Sequence, residues 1–209
     1  MIITTGWERK NSLNLPYSEA CERNKKPIFK ILQNVLSNSK HVLEIGSGTG
    51  QHAVYFGRKL NYLIWQTSDL EGNIAQINAR LEFEGTENII APLTLDVTQS
   101  NWPKINVDAV FIANVFHISP WEVTEQTFKR IKNVLNNPGK VCIYGPFSYK
   151  GNFTSESNDR FDKSLKNTDS SWGIRDFEQV DALAEEIGLK LEADHSMPAN
   201  NQLLIWRTL

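Results

Sequence analysis

Residues 42–56 read VLEIGSGTGQHAVYF, and the organisation of the chain is most densely written there. An apolar run is followed by Gly46, Gly48 and Gly50 at alternate positions and then by a helix-like pattern. This is how a strand of a βαβ unit hands over to its crossover helix. Glycine accepts positive φ and lets the backbone approach a ligand closely. The first turn of the next helix offers unpaired N–H groups to an anion. The stretch therefore predicts a first strand, a binding turn and a helix from about Gln51 to Leu60.

Outward from it, apolar runs alternate with helical periodicity, which points to βαβ units and a mainly parallel sheet. HVLEIG, YLIWQT, NIIAPLTLD, VDAVFIANVF and GKVCIYGPF read as five successive strands. The unbroken apolar character of the fourth suits a strand covered on both faces. EACERNKKPIFKILQNVL predicts an N-terminal helix that Pro27 either starts or interrupts. NIAQINARLEF and WEVTEQTFKRIKNVL predict two more, the latter with Trp121, Phe128, Ile131 and Leu135 inward. In DFEQVDALAEEIG, Asp176 is placed to cap, Gln179 to complete a capping box and Gly188 to end the helix. The last segment predicts an antiparallel pair of strands joined by MPANN. We expect one domain over residues 1–209. Residues 1–38 form an N-terminal helical segment, and the long polar stretch 148–175 forms a lid carrying Tyr149, Phe153, Phe161 and Trp172.

Composition narrows the classes. The chain has 209 residues, 40% hydrophobic and 22% charged, with net charge −2. This is ordinary for a soluble globular domain, and the charge disfavours a nucleic-acid partner. Cys21 and Cys142 make neither a disulfide framework nor a metal pattern, and Cys142 reads as a core residue. No metal site is expected. No apolar run reaches the roughly 20 residues of a membrane span, and the start lacks the order of a signal peptide. A cytoplasmic, soluble protein is the expectation.

Three readings compete for the glycine turn. A phosphate-binding P-loop requires a lysine that does not follow here. A dinucleotide site of a nicotinamide oxidoreductase prefers G-x-G-x-x-G, and Gln51 stands where its third glycine would be. The arrangement E-x-G-x-G-x-G, from Glu44 to Gly50 with Ser47 and Thr49 between the glycines, is that of S-adenosylmethionine-dependent methyltransferases. Asp69, with Leu70 after it, ends the second strand, where a carboxylate accepts from ribose hydroxyls. Asp96 ends the third, with Val97 after it, placed for the adenine edge. Each acid could instead serve as a helix cap. The fourth strand runs into ANVFHISPW, which brings Asn114, His117 and Trp121 to the ligand crevice. His117 is the candidate general base, since its ordinary pKa is about 6.5. His41, His52 and His195 show no ligand spacing and are expected at the surface or behind the site.

The segments ACERNKKPI, LEIGSGTGQHAVYF, WQTSD, LDV, ANVFHISPW, YGPF, SNDRFDKSL, WGIRD and MPANNQLLIWR together resemble one methyltransferase-like family, domain of unknown function 938. The resemblance runs from about Tyr17 to Arg207. Members often carry alanine in the place of Gly46. It implies an α/β, Rossmann-like, seven-stranded fold, mostly parallel with an antiparallel last strand and helices on both faces. It implies S-adenosylmethionine binding by Glu44, Gly46, Gly48, Gly50, Asp69 and Asp96, and no particular substrate. A small-molecule acceptor is expected. Arg23, Asn24, Trp121, Tyr144, Trp172 and Asn200 are the candidate acceptor residues, with Arg23 and Asn24 placed to fold over the cofactor carboxylate. Asn201, beside Asn200 in MPANN, offers the same donors and acceptors, and both could instead serve the turn. A module that binds the cofactor or its product without turnover is the alternative of a different class.

Overall fold

The computed structural model describes residues 15–209. Of the expected N-terminal segment, residues 1–14 lie outside the described part, and the rest is helix α1, Glu19–Val35. Strands and helices then alternate: β1 His41–Ile45, α2 Gln51–Lys59, β2 Ile64–Asp69, α3 Glu71–Glu84, β3 Ile89–Thr94 and β4 Val107–Ala113. A 3-10 turn, Phe116–Ile118, leads into α4, Trp121–Ile131, and β5, Leu135–Gly145, and a second, Pro198–Asn200, joins the last two strands. Short strands β6 Phe147–Tyr149 and β7 Asn152–Phe153 precede α5 Glu156–Thr168 and β8 Arg175–Asp176. The remainder is α6 Phe177–Glu186, β9 Leu189–Met197 and β10 Asn201–Thr208.

The main sheet has seven strands in the order β3-β2-β1-β4-β5-β10-β9. The first five pair in parallel, and β10 runs antiparallel to both β5 and β9. Alternate residues feed two cores. Leu43, Ile45, Val110, Ile112, Val141, Ile143, Leu204 and Trp206 face α4 and α6. Val42, Ala109, Phe111, Cys142, Leu203 and Ile205 face α1 and α2. Phe56, Trp65 and Phe111 meet as an aromatic cluster with centroids 5.5–5.8 Å apart. The strand order reverses direction between β1 and β4. At such a switch point the outgoing loops diverge and leave a crevice beyond the carboxyl ends of the strands.

Some local expectations change. Pro27 lies inside α1 rather than at its start, so the Arg23 carbonyl lacks its usual helical donor. Helix α4 stops at Ile131, and Leu135 opens β5 instead of extending the helix. Asp176 sits at the N-cap of α6 without capping it. Its carboxylate accepts instead from Gly151 N at 2.8 Å and from Ser148 Oγ, tying down the β6–β7 hairpin. Gly188 ends α6 at φ +82°, as glycine permits. The polar stretch is folded: β6, β7 and β8 form a small sheet, and the Ser155 hydroxyl caps α5 by accepting from Asn158 N.

Candidate functional site

The chain leaves β1 through a left-handed turn, with φ +75° at Gly46, +56° at Gly48 and +72° at Gly50. Gly46 N and Ser47 N both donate to Ser68 O at 3.0 Å, which holds the turn against the end of β2. A Cβ on Gly46 would stand 2.5 Å from Val115 Cγ2, whereas one on Gly48 would meet nothing within 4 Å. Gly46 thus serves close approach to the β4 loop, and Gly48 opens the turn to a ligand. Across it, Asp69 Oδ2 accepts from Gly48 N at 2.6 Å, while Oδ1 accepts from Leu70 N and Asn73 Nδ2, each at 2.8 Å. Asp96 Oδ1 takes the Thr98 N–H and hydroxyl at 2.9 and 2.7 Å. These bonds hold its carboxyl below the usual carboxylate range.

A cavity of about 890 Å3 opens over this turn and is lined at one end by Gly46–Thr49, Asp69, Leu70, Asp96 and Val97. The other end is lined by Asn114, Val115, His117, Ile118, Val123, Tyr144, Pro146, Phe161, Pro198 and Asn201, and α1 contributes Cys21, Arg23 and Asn24. It lies at the upper end of the range for small-molecule pockets.

The structure sorts the expected residues. Ser47, Thr49, Leu70, Val97, Asn114, His117 and Tyr144 reach the cavity with the glycines and acids. Glu44 does not. It lies beneath the turn, 2% exposed, accepting from Ser47 Oγ at 2.9 Å and Trp65 Nε1 at 3.1 Å. Gly50 likewise faces Arg80, not the cavity. Trp121 stands outside the wall with the Arg175 guanidinium 5.8 Å over its ring, and Trp172 and Asn200 are not on the wall either. Asn200 bonds α5, donating to Ser157 Oγ and accepting from Asn158 Nδ2, both at 3.0 Å. Its neighbour Asn201 takes the pocket role, donating to the Tyr144 hydroxyl at 3.1 Å. Arg23 is on the lip, paired with Glu19 at 3.0 Å. From the expected lid, Phe161 alone among the four aromatics reaches the cavity. Among the described residues no group of side chains is arranged to hold a metal, and no helix is long and apolar enough to cross a membrane.

His117 is 7% exposed. Burial, with Arg175 nearby, lowers its pKa to about 4, so it is neutral at pH 7. Phe161 packs edge-on against its ring at 5.5 Å. Arg175 donates to the carbonyls of Phe116 and Ser119, and Gly173 N donates to His117 O at 3.1 Å. The turn carrying His117 is therefore pinned by Gly173 and Arg175.

Other residues here carry no motif signal. His52 is buried rather than superficial and reaches the cavity wall. Its Nε2 lies 2.6 Å from Asn24 Oδ1 and its Nδ1 3.9 Å from Cys21 Sγ. An amide oxygen only accepts, so Nε2 carries the proton and Nδ1 faces the thiol as acceptor. Arg80 is 5% exposed. It donates to Thr49 O at 2.5 Å and Pro16 O at 2.6 Å, and pairs with Glu84 at 3.1 Å. Gln51 Oε1 accepts from Ser18 N at 2.6 Å and Thr49 Oγ1 at 2.9 Å. Arg80 and Gln51 thus clamp the start of α1 onto the glycine turn. The helical period of α3 placed Arg80 on a helix, but nothing in sequence linked it to a turn some 30 positions away.

This architecture is the α/β fold of the methyltransferases. The chain belongs to the family described as protein of unknown function (DUF938), which matches it over residues 15–208. Among solved structures it is similar to an O-methyltransferase family protein from Burkholderia thailandensis, with TM-score 0.79, 14% identity, and coverage of 90% of this chain and 57% of that one. It is similar to the mitomycin 7-O-methyltransferase MmcR, with TM-score 0.77, 15% identity, and coverage of 91% and 54%. Human N-acetylserotonin methyltransferase, solved in complex with SAM, matches with TM-score 0.74, 14% identity, and coverage of 91% and 53%. This chain thus spans just over half the length of these proteins, and the likeness is one of fold.

Proposed function

We propose that the protein is an S-adenosylmethionine-dependent methyltransferase acting on a small molecule. One observation carries this: the Gly46–Thr49 turn, the Asp69 carboxylate bonded across it and Asp96 at the next strand end open on one cavity at the switch point. The residues present fit the cofactor. Gly48 leaves space where a side chain would intrude, Asp69 and Asp96 are carboxylate acceptors, and Leu70 and Val97 offer apolar faces. Gln51 is committed to Ser18 and Thr49, which disfavours the close backbone approach that a dinucleotide pyrophosphate requires.

The cofactor's sulfonium, when bound, supplies an electrophilic methyl carbon. The protein's own task is to align an acceptor and exclude water. Neutral His117 is placed to take a proton from it. The net charge of −2 supports a small molecule over nucleic acid. A second reading, a module that holds the cofactor or its product without turnover, draws support from the weak basicity of His117.

Calorimetric titration with S-adenosylmethionine, S-adenosylhomocysteine and NAD separates the cofactor readings. We expect heat with the first two, and Asp69→Ala to weaken both at least tenfold while keeping the fold. NAD heat without S-adenosylmethionine heat sinks the proposal. Labelled donor with a metabolite extract then separates enzyme from binder.

A further inference from the structure

We propose that the half of the cavity beyond the glycine turn takes an uncharged acceptor, an apolar body of about ring size carrying one neutral hydroxyl or thiol. This rests on the reading that the glycine-turn half holds the cofactor. The charged residues on the cavity wall are Arg23, Asp69 and Asp96. Both acids close strands at the cofactor end and already accept from Gly48, Leu70, Asn73 and Thr98. Arg23 stands at the lip, its side chain mostly in solvent and paired with Glu19. Among the described residues the acceptor half thus presents no fixed charge. A carboxylate or ammonium drawn into it would lose water without gaining an opposite charge, which disfavours it against a neutral group.

What that half does present is apolar. Val115, Ile118, Val123, Pro146, Phe161 and Pro198 line it. Ile118 and Phe161 are 46% and 41% exposed, two large side chains whose open surface lies on the same cavity. Such surface gathered at a concave site marks a place for an apolar ligand. The polar side chains named on this wall are dipoles: the Asn114 amide, the His117 ring, the Tyr144 hydroxyl and the Asn201 amide. Burial favours the uncharged forms of both His117 and Tyr144. Such groups orient a hydroxyl or thiol without requiring charge on it.

The test uses three probes of one ring size at pH 7: 2-naphthol, 2-naphthoate and 2-naphthylmethylammonium, titrated by calorimetry into the full chain saturated with S-adenosylhomocysteine. The expected result is 2-naphthol bound at least tenfold tighter than either charged probe. Phe161→Asp and Ile118→Asp, both at exposed positions, should each weaken 2-naphthol at least tenfold. A charged probe that matches 2-naphthol, binding by none of the three, or 2-naphthol binding unmoved in both variants overturns the proposal. If S-adenosylhomocysteine itself gives no heat, the cofactor reading fails instead, so the two failures are distinct. A neutral thiol is then compared with the hydroxyl by 2-naphthylmethanethiol, which is un-ionised at pH 7, in the same titration.

Discussion

Glu44→Gln probes the electrostatics beneath the glycine turn. Burial pushes the Glu44 carboxyl up from 4.5 to about 7, against hydrogen bonds from Trp65 and Ser47 that favour the anion and with Asp69 adding repulsion. At about 1.4 kcal/mol per pH unit, that difference amounts to about 3 kcal/mol. The folded pKa lies above the unfolded one. The favourable contribution is therefore complete below pH 4.5 and is lost as pH rises through about 7. Glutamine has no proton to lose. The stability of Glu44→Gln relative to the parent should thus climb by about 3 kcal/mol from pH 4.5 to 8. His52 and His117 act in the opposite sense. Burial lowers both from 6.5 to about 4, so their contribution is full above 6.5 and lost as pH falls toward 4. Both proteins carry these histidines, and the comparison cancels them to first order. The assay is urea unfolding of both proteins across this range at fixed ionic strength. A difference that stays flat, or falls with rising pH, refutes the reasoning.

Arg80→Met should cost about 2–4 kcal/mol in urea unfolding, because the Thr49 and Pro16 carbonyls and Glu84 lose a shared charged donor. Arg80→Lys should not rescue it, since an ammonium lacks the planar fork; full rescue would refute the clamp. Gly46→Ala should cost about 1–3 kcal/mol through its φ of +75°, and more through its clash with Val115. Adding Val115→Ala should make the second change less costly than it is alone, and strict additivity would show that no clash exists. NMR titration should find the His117 ring neutral down to about pH 5, with its midpoint at about 4; a midpoint near 6.5 would show it solvated.

Much of the fold was legible because its signals are local. Continuous apolar runs mark β1, β4 and β5 because strands covered on both faces need no polar side, and glycine spacing reflects the φ values that Gly46, Gly48 and Gly50 adopt. Acids at strand ends were legible for the same reason, since a parallel sheet gathers those ends at one edge. Leu135 was misplaced because its spacing suits a fourth helical turn, whereas pairing of Val107 with Leu135 draws it into the sheet. Asp176 satisfies a capping pattern, but the donors that reach it come from a hairpin about 25 residues away.

The sequence by itself determined the order of elements outside the polar stretch 148–175, the left-handed turn after β1 and the acids facing it, because each depends on neighbours in the chain. The tertiary structure alone decided that Glu44 and Gly50 support the turn from behind and that Asn201, not Asn200, reaches the cavity. It alone brought Arg80 and His52 to the site and selected Phe161 among the four aromatics of the polar stretch. Those roles depend on burial and on contacts between elements distant in sequence, and residue spacing carries no record of either.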